Sequence, residues 1–192
     1  MWRMTLKNEP FKILHVPQYF SVQLVLLLFS TLFACTVSAA PLTPVDKRGA
    51  VSDFQLKNLK GKRVRLSDFK GKVVVVNFWA TWCGPCKQEL PHLSRVAVEE
   101  RARGLEVLAI SMDSPQTQSQ VGRLARKWKV QTLLDPEGKA VAKLNPRGVA
   151  PYTLLVDRAG RIAYDHDGYH SGDEIEMIAA IKALLNESAG TP

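Results

Sequence analysis

The sequence predicts an α/β domain with a central mixed sheet flanked by helices and an N-terminal β-hairpin. Three observations carry this. Val73–Trp79 and residues 105–112 are apolar along their length, as strands buried on both faces are. The segments that follow, from Cys83 and from Gln116, switch to a helical spacing of apolar residues. The last third offers two short strands about a tight turn, then a closing helix.

The hairpin is read from Phe54-Gln55-Leu56 and Arg63-Val64-Arg65-Leu66, which alternate apolar and polar residues around Lys60-Gly61-Lys62. Ser67-Asp68-Phe69 and Lys70-Gly71 make a turn, and Val73–Trp79 then occupies the centre of the sheet. The helix opening at Cys83 brings Leu90, Leu93, Val96, Ala97 and Val98 near one face and stops at Gly104. Pro91 lies inside it, so a kink is expected there. Residues 116–128 read as an amphipathic helix with Val121, Leu124, Ala125 and Trp128 inward. A short strand at 130–134 is closed by Asp135-Pro136-Glu137-Gly138. A short helix, Lys139–Leu144, precedes a loop at 145–150. Tyr152–Val156 and residues 162–164 pair around Arg158-Ala159-Gly160. Residues 173–185 close the domain, with Ile175, Ile178, Ile181, Leu184 and Leu185 on the buried side.

The chain has 192 residues, enough for one globular domain, but it does not begin as one. Arg3, Lys7 and Lys12 precede an apolar run from Val22 to Ala34, followed by Ser38-Ala39-Ala40 and a proline. A basic start, a short apolar stretch and a small-residue exit describe a secretory leader, with cleavage after Ala39. Two other readings stay open. Leu32-Phe33-Ala34-Cys35 resembles the lipobox of bacterial lipoproteins, which makes Cys35 a candidate lipidation site. Residues 22–40 are also long enough to span a bilayer uncleaved. Each reading places the domain outside the cytoplasm, in the periplasm or at the outer face of the membrane. The organisation expected is a signal peptide or membrane anchor at 1–40, a linker at 41–50 and the folded domain at 51–188.

Losing residues 1–39 removes three basic residues and one acidic, lowering the net charge from +8 to +6. The remaining Lys and Arg are scattered without interleaved aromatics, which argues against a nucleic-acid partner. Nothing in the pattern calls for an oligomer, so a monomer is expected. Three cysteines are present, and only Cys83 and Cys86 lie beyond the leader. Two cysteines make no disulfide scaffold, and a lone CxxC supplies half of a structural zinc site, with no histidine at finger spacing. No metal and no cofactor are expected.

What remains is the pair itself. Trp82-Cys83-Gly84-Pro85-Cys86-Lys87 directly follows the central strand, so the first thiol falls at a helix N-terminus, where the dipole and free backbone N–H groups favour the thiolate. This spacing and placement read as a redox site.

The segment Asn77-Phe78-Trp79-Ala80-Thr81-Trp82-Cys83-Gly84-Pro85-Cys86 resembles the active site of thioredoxin-fold oxidoreductases. The longer string from Trp82 to Pro91 resembles the TlpA/ResA branch, membrane-tethered thiol–disulfide proteins outside the cytoplasm. The likeness covers most of residues 51–187, including Leu134-Asp135 with its Pro-Glu-Gly turn and Gly148-Val149-Ala150-Pro151 before a strand. It implies a thioredoxin-like fold and a Cys83–Cys86 disulfide. Cys83 is then the more exposed, attacking thiolate, and Cys86, one turn inside, the resolving thiol. Trp82, Gly84 and Pro85 lie beside the reacting sulfurs; Trp79 is assigned to the core. Pro151 matches the family's cis-proline, with Ala150 offering backbone to a substrate chain. Thioredoxins carry a buried Asp where this chain has Asn77, which cannot move protons. Glu89 occupies the TlpA/ResA position for a proton-handling carboxyl near Cys86.

The activity implied is reduction of protein disulfides, fed by a membrane electron donor of thiol type, with cytochrome c maturation as one setting. The Gly-Pro dipeptide resembles the reducing members. Two alternatives are kept: an oxidant on the same fold, and a copper metallochaperone binding through the CxxC. A peroxidase would need Thr-x-x-Cys, whereas Thr81 is two residues before Cys83. His92 reads as a helix-surface residue, and His166 and His170, near Asp165, Asp167 and Asp173, as a polar turn.

Overall fold

The computed structural model describes residues 42–188. The leader, with Cys35 and residues 22–40, lies outside them. No helix among the described residues is long and apolar enough to cross a membrane.

Seven strands form one sheet. The hairpin β1 (Gln55–Asn58) and β2 (Arg63–Arg65) is followed by β3 (Val73–Trp79), α1 (Gly84–Glu99) and β4 (Leu105–Ser111). Then come α2 (Val121–Ala125), β5 (Gln131–Leu134), α3 (Lys139–Leu144), β6 (Tyr152–Val156), β7 (Ile162–Asp167) and α4 (Asp173–Asn186). The strand order is β2-β1-β5-β4-β3-β6-β7. β3 runs parallel to β4 and antiparallel to β6, so the sheet is mixed about a fully buried central strand, as its sequence, apolar but for Asn77, predicts.

Alternation along β3 serves two layers. Val73, Val75 and Trp79 pack with Leu90 and Leu93 of α1 and with Met177, Ile181 and Leu184 of α4. Val74, Val76 and Phe78 pack with Phe54 and Leu56 of the hairpin side and with Ala140 and Leu144 of α3. Asn77 shares the α1 face by register, which places a polar side chain beneath that helix.

Four expectations change. Residues 42–50 are no free linker: Leu42 packs on the core, the Thr43 N–H donates to the Ala163 carbonyl at 2.8 Å, and Ala50 bridges Arg161. Arg48 enters the domain, its side chain 1% exposed, and meets Asp157 at 3.2 Å and Glu187 at 2.7 Å. The expected helix at 116–128 reduces to a 3₁₀ turn at Gln118–Gln120 and one short helix, α2. Gly122 inside it and the Ser and Thr residues ahead of it favour turns over helix. Trp128 still turns inward, its ring edge-on to Trp79 at 5.2 Å. Ile175 is 73% exposed and Val98 56% exposed. The buried stripe of α4 is Met177, Ala180, Ile181, Leu184 and Leu185, and Ile175, two residues before Met177, falls on the opposite side of the helix. α1 runs from Gly84 to Glu99 with Pro91 inside it.

Candidate active site

β3 ends at Trp79, and the turn that follows delivers Cys83 as the N-cap of α1. The Cys86 N–H donates to the Cys83 Sγ at 3.1 Å, so a free helix-end donor is aimed at the sulfur that would carry charge. The two sulfurs are bonded, with Cα atoms 5.4 Å apart. Pro85 sits in the first turn, where a missing N–H costs nothing.

The expected exposure of Cys83 is corrected. Cys83 is 4% exposed and Cys86 fully buried, because the closed pair is gathered into the hydrophobic cluster under α1. The asymmetry keeps its direction but is small in this oxidised state. The exposed surface comes from Gly84, Pro85, Lys87 and above all Trp82, which is 65% exposed. Trp79 is wholly buried.

Behind the pair lies a buried carboxyl. Glu89 is 1% exposed, on the α1 face that carries Cys86. The Asn77 side-chain amide donates to its Oε2 at 2.8 Å, and the Thr153 hydroxyl to its Oε1 at 2.8 Å. Asn77 and Thr153 are directly opposed in the β3–β6 register, so two neighbouring strands hold one carboxyl from below. Burial pushes its pKa up to about 7, outweighing the opposing hydrogen bonds from Thr153 and Asn77. A carboxyl poised near neutrality and screened from water can take up or release a proton.

The Ala150–Pro151 peptide is cis. Tyr152 pairs with Phe78, so Pro151 arrives at the end of the sheet from which Cys83 departs. Ala150 packs against the cluster that contains Cys83 and Cys86. Asn145 ties the loop, its amide donating to the Val149 carbonyl at 2.7 Å. The three histidines among the described residues make their close contacts away from the sulfurs. The ring of His92 is 3.3 Å from Arg95, His166 is 3.2 Å from Asp173, and the His170 N–H donates to the same Asp173 carboxylate at 2.7 Å.

Two polar residues escaped the sequence reading. Thr153 is the one small polar residue in a strand of Tyr, Leu and Val, two residues past Pro151, and that isolation was the available signal. Asp113 is 1% exposed and accepts from both the N–H and the hydroxyl of Thr81, at 2.9 and 2.5 Å, and from Ser111 at 2.9 Å. It fixes the turn between Trp79 and Cys83. Its signal was weaker: a lone acid after a strand is usually a solvated turn.

Fold and site together define a thiol–disulfide oxidoreductase of the thioredoxin type, exchanging its own dithiol with those of protein partners. Comparison with known proteins narrows this. Residues 48–165 match the AhpC/TSA family. The thiol–disulfide oxidoreductase ResA of Geobacillus kaustophilus is 32% identical over 136 residues, 70% of this chain and 76% of that protein. Among solved structures, a Chlorobium tepidum protein assigned as the thiol:disulfide interchange protein DsbE superposes with a TM-score of 0.67 at 30% identity, over 74% of this chain and 100% of its own. The exposed lipoprotein thioredoxin Etrx1 of Streptococcus pneumoniae gives 0.55 at 30% identity, over 67% and 98%. The chain belongs to the AhpC/TSA family of thioredoxin-like proteins, among the ResA-type thiol–disulfide oxidoreductases.

Proposed function

We propose that this protein works outside the cytoplasm as a reductase of protein disulfides, recharged by a thiol donor at the membrane. The observation that carries the reading is the Glu89 carboxyl, buried behind the CxxC pair with its pKa pushed up to about 7. It gives the inner thiol a proton acceptor that a structural disulfide has no use for.

In the reduced enzyme, the Cys83 thiolate attacks one sulfur of the partner's disulfide. A mixed disulfide forms, and the partner's other sulfur leaves as a thiolate. Cys86 then loses its proton to Glu89 and attacks the Cys83 sulfur. This releases the partner's second thiolate and leaves the Cys83–Cys86 disulfide. Two electrons have passed to the partner, and two from the donor restore the dithiol. Trp82, Gly84 and Pro85 supply the surface around the sulfurs, and Ala150 with Pro151 the backbone against which the partner's chain lies.

Placement outside the cytoplasm rests on the leader, through a cleaved signal, a bilayer span at 22–40 or a lipid on Cys35. The lipoprotein described among the structural neighbours supports the lipid route. The likeness to ResA and DsbE supports thiol–disulfide exchange, and the TlpA/ResA resemblance implies partners among the cysteine pairs handled in cytochrome c maturation.

The test is the midpoint potential of the full-length protein, titrated against defined thiol buffers and read by tryptophan fluorescence and thiol alkylation. A value near about −270 mV, the reducing end of the thioredoxin-fold scale, is expected. A value near about −120 mV would overturn reduction in favour of disulfide formation.

A further inference from the structure

A groove of about 320 Å³ opens beside the redox turn, lined by Thr81, Lys87, Gln120, Arg123, Leu124 and Lys127. Thr81 lies two residues before Cys83 and Lys87 follows Cys86, so the groove borders the CxxC segment on both sides in the chain. Its walls carry three cations and no carboxylate. All three cations are exposed, and none is ion-paired among the described residues. The other flank of α1 carries carboxylates among histidines. There His92 neighbours Tyr169, whose hydroxyl donates to Glu174 at 2.6 Å, and Asp173 lies beside His166.

We propose that this groove docks an acidic stretch of the partner polypeptide next to the disulfide to be exchanged. The proposal rests on exchange with protein partners, and it adds which proteins are favoured and in which orientation. Unpaired cations along one side of the site attract a chain of opposite charge, and such complementarity acts on encounter rate and register. A recess lined by Thr81 and Lys87, the residues just outside the Trp82–Cys86 segment, suits a peptide segment entering the exchange.

The test compares three substrates of the full-length, reduced protein: a peptide with one internal disulfide flanked by Asp and Glu, the same peptide with Lys at those positions, and uncharged hydroxyethyl disulfide. The wild type should reduce the acidic peptide with a kcat/KM about tenfold above the basic one, an advantage that shrinks as salt screens it. The double variant Arg123→Glu, Lys127→Glu should lose or invert this preference, mainly through KM, and reduce hydroxyethyl disulfide at the wild-type rate. Equal rates on both peptides by the wild type would overturn the docking role and leave the cations to another anion, such as a lipid headgroup. Loss of the hydroxyethyl disulfide reaction in the double variant would also overturn it, since the charges would then act on the sulfurs or the fold. Failure of the wild type on all three substrates would instead sink the reductase reading.

Discussion

In the proposed mechanism Cys86 and Glu89 act as a pair: the thiol must lose a proton before it can resolve a mixed disulfide, and the carboxyl buried behind it can take that proton. Cys86→Ser removes the resolving step alone. It should trap partners on Cys83 as covalent complexes that resist alkylation and fall apart on reduction, visible on non-reducing gels. Glu89→Gln keeps the shape and hydrogen-bond reach of the side chain but not the titration. The exchange rate should therefore lose its inflection near pH 7 while the fold survives. Stability gives an independent reading. Glu89 has a pKa raised to about 7 in the folded protein against 4.5 unfolded, so the folded state holds the extra proton between those values. The resulting stabilisation is fully present below pH 4.5 and is lost as pH rises through 7, a swing of roughly 3 kcal/mol. Urea titrations of the oxidised protein should show that fall, and Glu89→Gln should abolish it.

At the scale of elements, the site is a meeting of β3, α1 and β6, and they differ in how openly the sequence announces them. β3 is legible because a run of Val, Phe and Trp broken only by Asn77, apolar on both faces, fits a central strand. The start of α1 is legible because Cys-Gly-Pro-Cys fixes the cap. Glu89 was legible as a position but not as a clamp. That Asn77 and Thr153 hold it depends on the register of β3 against β6, strands more than seventy residues apart in sequence. The same limit hid Asp113, since its partner Thr81 lies across a parallel strand pair. The failed helix at 116–128 has a local cause: apolar spacing was right, as Trp128 shows, while Gly122 and the preceding hydroxyl residues weakened the backbone's preference. Asp113→Ala should release the turn before Cys83 and cost roughly 1–3 kcal/mol in urea unfolding, because the buried Ser111 hydroxyl and the Thr81 N–H lose their acceptor. Asp113→Asn should cost less.

For the molecule as a whole, the chain before the hairpin matters more than a linker would. Arg48 joins the entering chain to the turn after β6 and to the end of α4, through Asp157 and Glu187. Its hydrogen bonds to Glu187 hold its pKa above the usual value, against the pull of burial. Arg48→Ala should destabilise the domain by about 2–3 kcal/mol, less than a fully orphaned buried charge would, because Asp157 keeps Arg161 at 2.9 Å. A chain beginning at Leu42 should melt like the full-length protein, and one beginning at Val51 well below it, by circular dichroism. The segment also lies along the outer strand. The Ile162 N–H donates to the Gly49 carbonyl at 2.9 Å and the Val51 N–H to the Gly160 carbonyl at 2.9 Å, covering the start of β7. The rest of that strand carries Asp165, His166 and Asp167, and the opposite margin, β2, is three residues long with Arg63 and Arg65 on it. Open margins of sheets recruit further strands, and short, charged or covered ones do not. Proteolytic clipping after residue 50 would therefore create a polymerisation hazard: the exposed start of β7 becomes a template for intermolecular fibre growth, so solubility should fail before catalysis does.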